Sequence, residues 1–144
     1  MTDTGEQRLE SVDFNGMRSY LAGTEVIFAI LFGSQARGTA RESSDVDVAL
    51  RFPTTMSDHE RFEVRNRIDA DLQAYADGFV DVSDVDSLPT AVAHAALQDG
   101  ITIVGDEDIV EPYREDVEAT YEATADERKR ERRAFIDRLA RGDT

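Results

Sequence analysis

Seven consecutive apolar residues, Val26-Ile27-Phe28-Ala29-Ile30-Leu31-Phe32, stand between Gly23 and Gly33 without a polar interruption. The run is far shorter than the roughly 20 residues that a bilayer-spanning helix needs. Rich in β-branched and aromatic side chains, it predicts a strand buried on both faces, and therefore a sheet covered on both sides. A second strand follows, in which Val46, Val48, Leu50 and Phe52 alternate with Asp45, Asp47, Ala49 and Arg51 and end at Pro53. That period gives one apolar and one polar face. Residues 79–83 and 101–104 have strand composition as well.

Helical patterns fill the intervals. Leu9, Val12, Met17 and Tyr20 or Leu21 form a stripe over 5–21, and Ser57-Asp58-His59-Glu60 reads as a capping box opening a helix over 58–76 with Val64, Ile68, Leu72 and Tyr75 on one face. Pro89 opens an alanine-rich helix that ends at Gly100, and the chain is helical again after Gly105, with Val110, Tyr113, Val117 and Tyr121 in a stripe. Thr124-Ala125-Asp126-Glu127 reads as a second capping box. Alternating strands and helices predict an α/β or α+β fold, a small sheet flanked by helices. Parallel and mixed pairing both remain open. With 144 residues, 40% of them hydrophobic, the expectation is one domain over 1–144, its core at about 5–105 and a C-terminal helical tail at about 107–142.

Charge narrows the partners. Thirty-one acidic residues oppose 16 basic ones for a net charge of -15, and Lys129 is the sole lysine. Self-repulsion of this size destabilises a compact state in dilute buffer and is screened by salt, which predicts a halophilic protein of a salt-rich cytoplasm. It also argues against direct nucleic-acid binding, whose affinity comes from neutralising phosphates. No signal-like leader opens the chain, so the expected location is cytoplasmic, without membrane contact. The absence of cysteine removes disulfides, thiolate metal sites and a thiol nucleophile.

The chemistry concentrates after the buried strand. Gly33 permits a sharp turn, and Ser34 offers a hydroxyl and backbone N–H groups where a helix or turn begins, with Arg37 one turn along. This combination suits a phosphate. Ten residues separate Ser34 from Asp45, and Asp45 and Asp47 leave the same face of the second strand, where they can converge on a hard divalent cation such as magnesium.

Gly33-Ser34-Gln35-Ala36-Arg37-Gly38 and Ser43-Ser44-Asp45-Val46-Asp47-Val48 resemble the minimal nucleotidyltransferase family of the DNA-polymerase-β-like superfamily. The likeness covers residues 33–50 closely and extends in element order to about residue 104. It implies a polymerase-β-like fold with a small mixed sheet. It also implies a third metal-binding carboxylate on the next strand, at Asp81, with Asp84 and Asp86 as runners-up. By the same resemblance Asp45, Asp47 and Asp81 are catalytic and hold two Mg2+ ions, Gly33, Ser34 and Arg37 bind the nucleotide, and ATP is the substrate. Proteins of this family and length are commonly antitoxins paired with a HEPN-domain RNase toxin. The resemblance therefore implies transfer of AMP to a tyrosine of that HEPN partner within a hetero-oligomer. The alternatives are neutralisation by binding alone and modification of a small molecule. The basic run at 128–133 reads as a solvated helix face, and His59 and His94 as structural.

Overall fold

A computed structural model describes residues 12–33 and 45–142 of the chain. In chain order the elements are α1 (Phe14–Ala22), β1 (Phe28–Phe32), β2 (Val46–Arg51), α2 (Asp58–Leu72), a 3-10 turn (Gln73–Tyr75), β3 (Val80–Asp84), a second 3-10 turn (Val85–Ser87), α3 (Thr90–Asp99), β4 (Ile101–Val104), α4 (Glu107–Ala123) and α5 (Ala125–Ala140). The four strands form one mixed sheet in the order β3-β2-β1-β4. β1 is antiparallel to β2 and to β4, whereas β2 and β3 run parallel. The parallel pair needs a crossover, and α2 supplies it.

Both faces of β1 are buried. Ala29 and Leu31 join Met17 and Leu21 of α1, Val64, Ile68 and Leu72 of α2, and Val46, Val48, Leu50, Val80 and Val82 of the neighbouring strands. Phe28 and Ile30 face the other way, against Ala49, Val85, Ala93, Leu97 and Val110. That second layer is built by α3 and α4. The face of β2 expected to be polar is therefore polar only toward its ends: Ala49 is fully buried beneath α3 and α4, while Asp47 and Arg51 on either side of it are only partly covered. A small residue at this position lets the helices approach the sheet.

Most boundaries follow local chemistry. Ser57 Oγ accepts from the Glu60 N–H at 3.2 Å while the Ser57 N–H donates to Glu60 Oε1 at 3.1 Å, so the first capping box is formed as expected. The second is not. Thr124 stands between α4 and α5 as the C-cap of the former, with φ -97° and ψ 3°, and its hydroxyl donates back to the Thr120 and Tyr121 carbonyls instead of capping α5. A threonine already satisfied by the preceding helix has no reason to swing outward. The start of the expected first helix, including Leu9, lies outside the described residues. Gly105 has φ +121°, and a Cβ there would stand 2.5 Å from Phe28 Cβ, so only glycine lets β4 turn into α4 beside β1.

Candidate functional site

Toward the end of the sheet where β1 exits, Asp47 of β2, partly buried, lies directly opposite the exposed Asp81 of β3 in the parallel register, and Phe32 opposite Asp47 on the β1 side. Asp45 immediately precedes β2 and is exposed. Strand alternation explains the grouping: Val46, Val48, Val80 and Val82 are drawn into the core, so the intervening aspartates must leave the opposite face together.

Gly33 closes the site from above. Its φ of +79° favours glycine, and a Cβ at this position would lie 2.5 Å from Asp47 Oδ2. The turn therefore passes against the carboxylate at a distance only a hydrogen-bearing Cα tolerates. Burial, followed by the Asp81 and Asp45 charges, raises the Asp47 pKa above the ordinary carboxylate value. Among the described residues no three acidic or histidine side chains are drawn tightly enough together to cage a cation unaided. Ser34 and Arg37, expected to hold phosphates, lie outside the described residues.

The runners-up for the third carboxylate are otherwise engaged. Asp84 accepts from the Asp86 N–H at 2.9 Å and stands 3.6 Å from Arg61. Asp86 pairs with Arg51 and Arg61 and accepts the Tyr113 hydroxyl at 2.6 Å. Burial and the Asp86 hydrogen bond push the Tyr113 phenol well above its usual value. Arg51 also lies over the Tyr113 ring, 4.7 Å from its centroid. This cluster ties β2, β3 and α4 together beneath the aspartate pair. Sequence reasoning did not anticipate it, although Arg61 and Arg65 stand at i,i+4 on α2, where arginines share one helix face.

A cavity of about 700 Å3 opens along the outer edge of β3, from Asp81 past Asp84 and Asp86, walled on the other side by Asp58, Arg61, Phe62 and Arg65 of α2. Arg65 donates to the Val82 carbonyl at 3.1 Å, and Gln73 brackets Val80 with a donated bond of 2.8 Å and an accepted one of 2.9 Å. Side chains thus occupy part of an edge that would otherwise present open backbone groups. His94 and His59 stand apart from the aspartates. His94 stacks on Tyr121 and contacts Glu118, and His59 meets Glu63 at the surface.

The polymerase beta nucleotidyltransferase family model matches residues 15–109. Among solved structures the chain is similar to one in a toxin-antitoxin crystal structure with AMP-PNP, at 24% identity over 90% of this chain and 99% of the other, with a TM-score of 0.66. A chain of an MntA-HepT toxin-antitoxin structure aligns at 22% identity over 89% and 97%, TM-score 0.59. One from a tri-AMPylated Shewanella oneidensis HEPN toxin in complex with an MNT antitoxin aligns at 20% over 88% and 98%, TM-score 0.58. These likenesses are of fold. No curated protein matches the chain. The family match spans well over half of the sequence and includes the glycine turn and all three aspartates, so this chain belongs to the polymerase beta nucleotidyltransferase family.

Proposed function

We propose that this protein transfers AMP from Mg-ATP to a tyrosine of a HEPN-domain RNase and acts as the antitoxin to that toxin. The observation that carries the reading is the in-register pair Asp47, partly buried, and Asp81, exposed, at one end of the sheet with Gly33 against Asp47, in a chain of a nucleotidyltransferase family. Similarity in fold to chains of toxin-antitoxin complexes, one holding AMP-PNP and one an AMPylated HEPN toxin, favours this acceptor and this nucleotide.

The residues fit a divalent cation. Three carboxylates of hard oxygen character share one surface, and the raised Asp47 pKa reflects a local excess of negative charge that a cation would neutralise. Asp45, Asp47 and Asp81 would hold two Mg2+ ions, with nucleotide phosphate oxygens completing the ligand set, as is usual for this cation. When bound, the ions supply charge neutralisation at the α-phosphate and acidify the attacking hydroxyl. Asp81, at the exposed side of the pair, accepts the phenol proton. The phenol oxygen forms its bond to the α-phosphorus as the bond to the β-phosphate breaks, and pyrophosphate departs. By the family resemblance Ser34 would hold the β- and γ-phosphates, with Arg37 adding positive charge.

Intact-mass measurement of the HEPN protein after incubation with this chain, ATP and Mg2+ in high salt tests the reading. A gain of one or more AMP units that disappears with Asp45→Ala/Asp47→Ala is expected. An unmodified partner that is nevertheless inhibited would replace transfer with neutralisation by binding alone.

A further inference from the structure

We propose that the cavity along β3 is the acceptor cleft, and that it takes a polypeptide segment carrying its hydroxyl side chain among arginines or lysines. The proposal rests on the nucleotidyltransferase reading and specifies how its protein substrate is recognised.

Three observations converge. First, the cavity begins at Asp81, so an occupant would lie beside the carboxylate assigned to the acceptor hydroxyl rather than at Gly33, where the phosphates belong. Second, the lining is acidic in balance. Asp58, Asp81, Asp84 and Asp86 face Arg61 and Arg65, and both arginines are already committed, Arg61 to Asp84 and Asp86 and Arg65 to the Val82 carbonyl and the Asn66 side chain. Asp58 and Asp81 have no ion pair among the described residues. Such a wall repels a triphosphate or an RNA and attracts a cationic segment, more strongly within a recess than on an open surface. Third, Phe62 lines the same recess and is 58% exposed, its ring approached only from one side by the Arg65 guanidinium at 5.8 Å from the centroid among the described residues, so that most of the ring is left to an occupant. Its ring suits both an acceptor tyrosine and a guanidinium. At about 700 Å3 the recess has room for an aromatic side chain with its neighbours.

The test measures binding of two fluorescein-labelled tyrosine peptides by anisotropy, one flanked by arginines and the other by glutamates, together with a short single-stranded RNA. Binding of AMP-PNP with Mg2+ is measured in parallel by calorimetry. The arginine-flanked peptide should bind the intact chain, and Phe62→Ala and Asp58→Arg should each weaken it by about tenfold, a hot-spot effect. Glu115→Arg, the same charge change on exposed α4, should alter it by no more than about twofold. Nucleotide affinity should be unchanged in all three variants. Equal weakening by Glu115→Arg, equal binding of the glutamate peptide, preferential binding of RNA, or no peptide binding would each overturn the proposal. Loss of nucleotide binding by the wild-type chain with peptide discrimination intact would overturn the nucleotidyltransferase reading instead.

Discussion

Gly33 meets two demands that a single methyl group would violate: a left-handed backbone and a carboxylate oxygen within 2.5 Å of where Cβ would lie. Gly33→Ala should cost about 1–2 kcal/mol of stability in thermal melts. It should reduce nucleotidyl transfer by two orders of magnitude or more, because the Asp47 carboxylate must rotate away. Asp47 itself carries a functional cost. Its raised pKa means that folding disfavours its charged form, so Asp47→Asn should melt at a higher temperature than the wild type in metal-free buffer while losing transfer altogether. Tyr20 offers a test of the opposite face. Burial and the hydrogen bond its hydroxyl donates to Asp71 raise its pKa from 10.0 to about 12. The neutral phenol is the form that folding favours, so this contribution is intact below pH 10 and is lost as pH rises toward 12. Denaturant titrations across that window should show a fall in stability that is smaller in Tyr20→Phe.

Among the elements, α2 has weak local credentials and strong tertiary ones. Its buried residues are confined to Val64, Ile68 and Leu72, so packing on the sheet and its capping box hold it. Ser57→Ala should cost about 1 kcal/mol by denaturant melts, leaving the m-value unchanged. The elements were legible because their signals are local: seven apolar residues for β1, alternation for β2, glycine and proline at the ends. What joins them was not. That β4 adds beside β1 while β3 takes the outer edge next to β2 depends on the path of α2 and α3, and no period in the sequence records it. The site shows the same division. Asp45 and Asp47 could be read from alternation, whereas the match of Asp47 to Asp81 required the register of a parallel pair 34 positions apart in the chain. The failed second capping box teaches a related lesson. Thr124 had a competing partner in the helix before it, and a four-residue motif does not reveal its competitors. Instead, Arg128 crosses back over the Tyr121 ring, 4.0 Å from its centroid, with His94 stacked on the ring 3.9 Å centroid to centroid. This is what joins α5 to α4 and α3.

At the scale of the molecule, charge is unevenly distributed. α5 bears Arg128, Lys129, Arg130, Arg132, Arg133 and Arg138, whereas the acidic excess lies in the preceding residues. Like charges over the body repel at low ionic strength and are screened at high, so the melting temperature should rise steadily as potassium chloride is increased from about 0.1 M toward about 1 M, over which the Debye length falls from about 10 to 3 Å. A flat response would remove the halophilic expectation. Among the described residues no helix is long and apolar enough to cross a membrane. The parallel pairing of β2 with β3 has a consequence for the chain as it is being made. A hairpin of β1 and β2 can form as soon as residue 51 is available, but it holds only two of the three aspartates. The third arrives after α2 has been synthesised and has carried β3 back to the sheet edge, a long loop closure that slows folding. On the function proposed above, a nascent or prematurely terminated chain would be chemically silent, with activity beginning only once the crossover is complete.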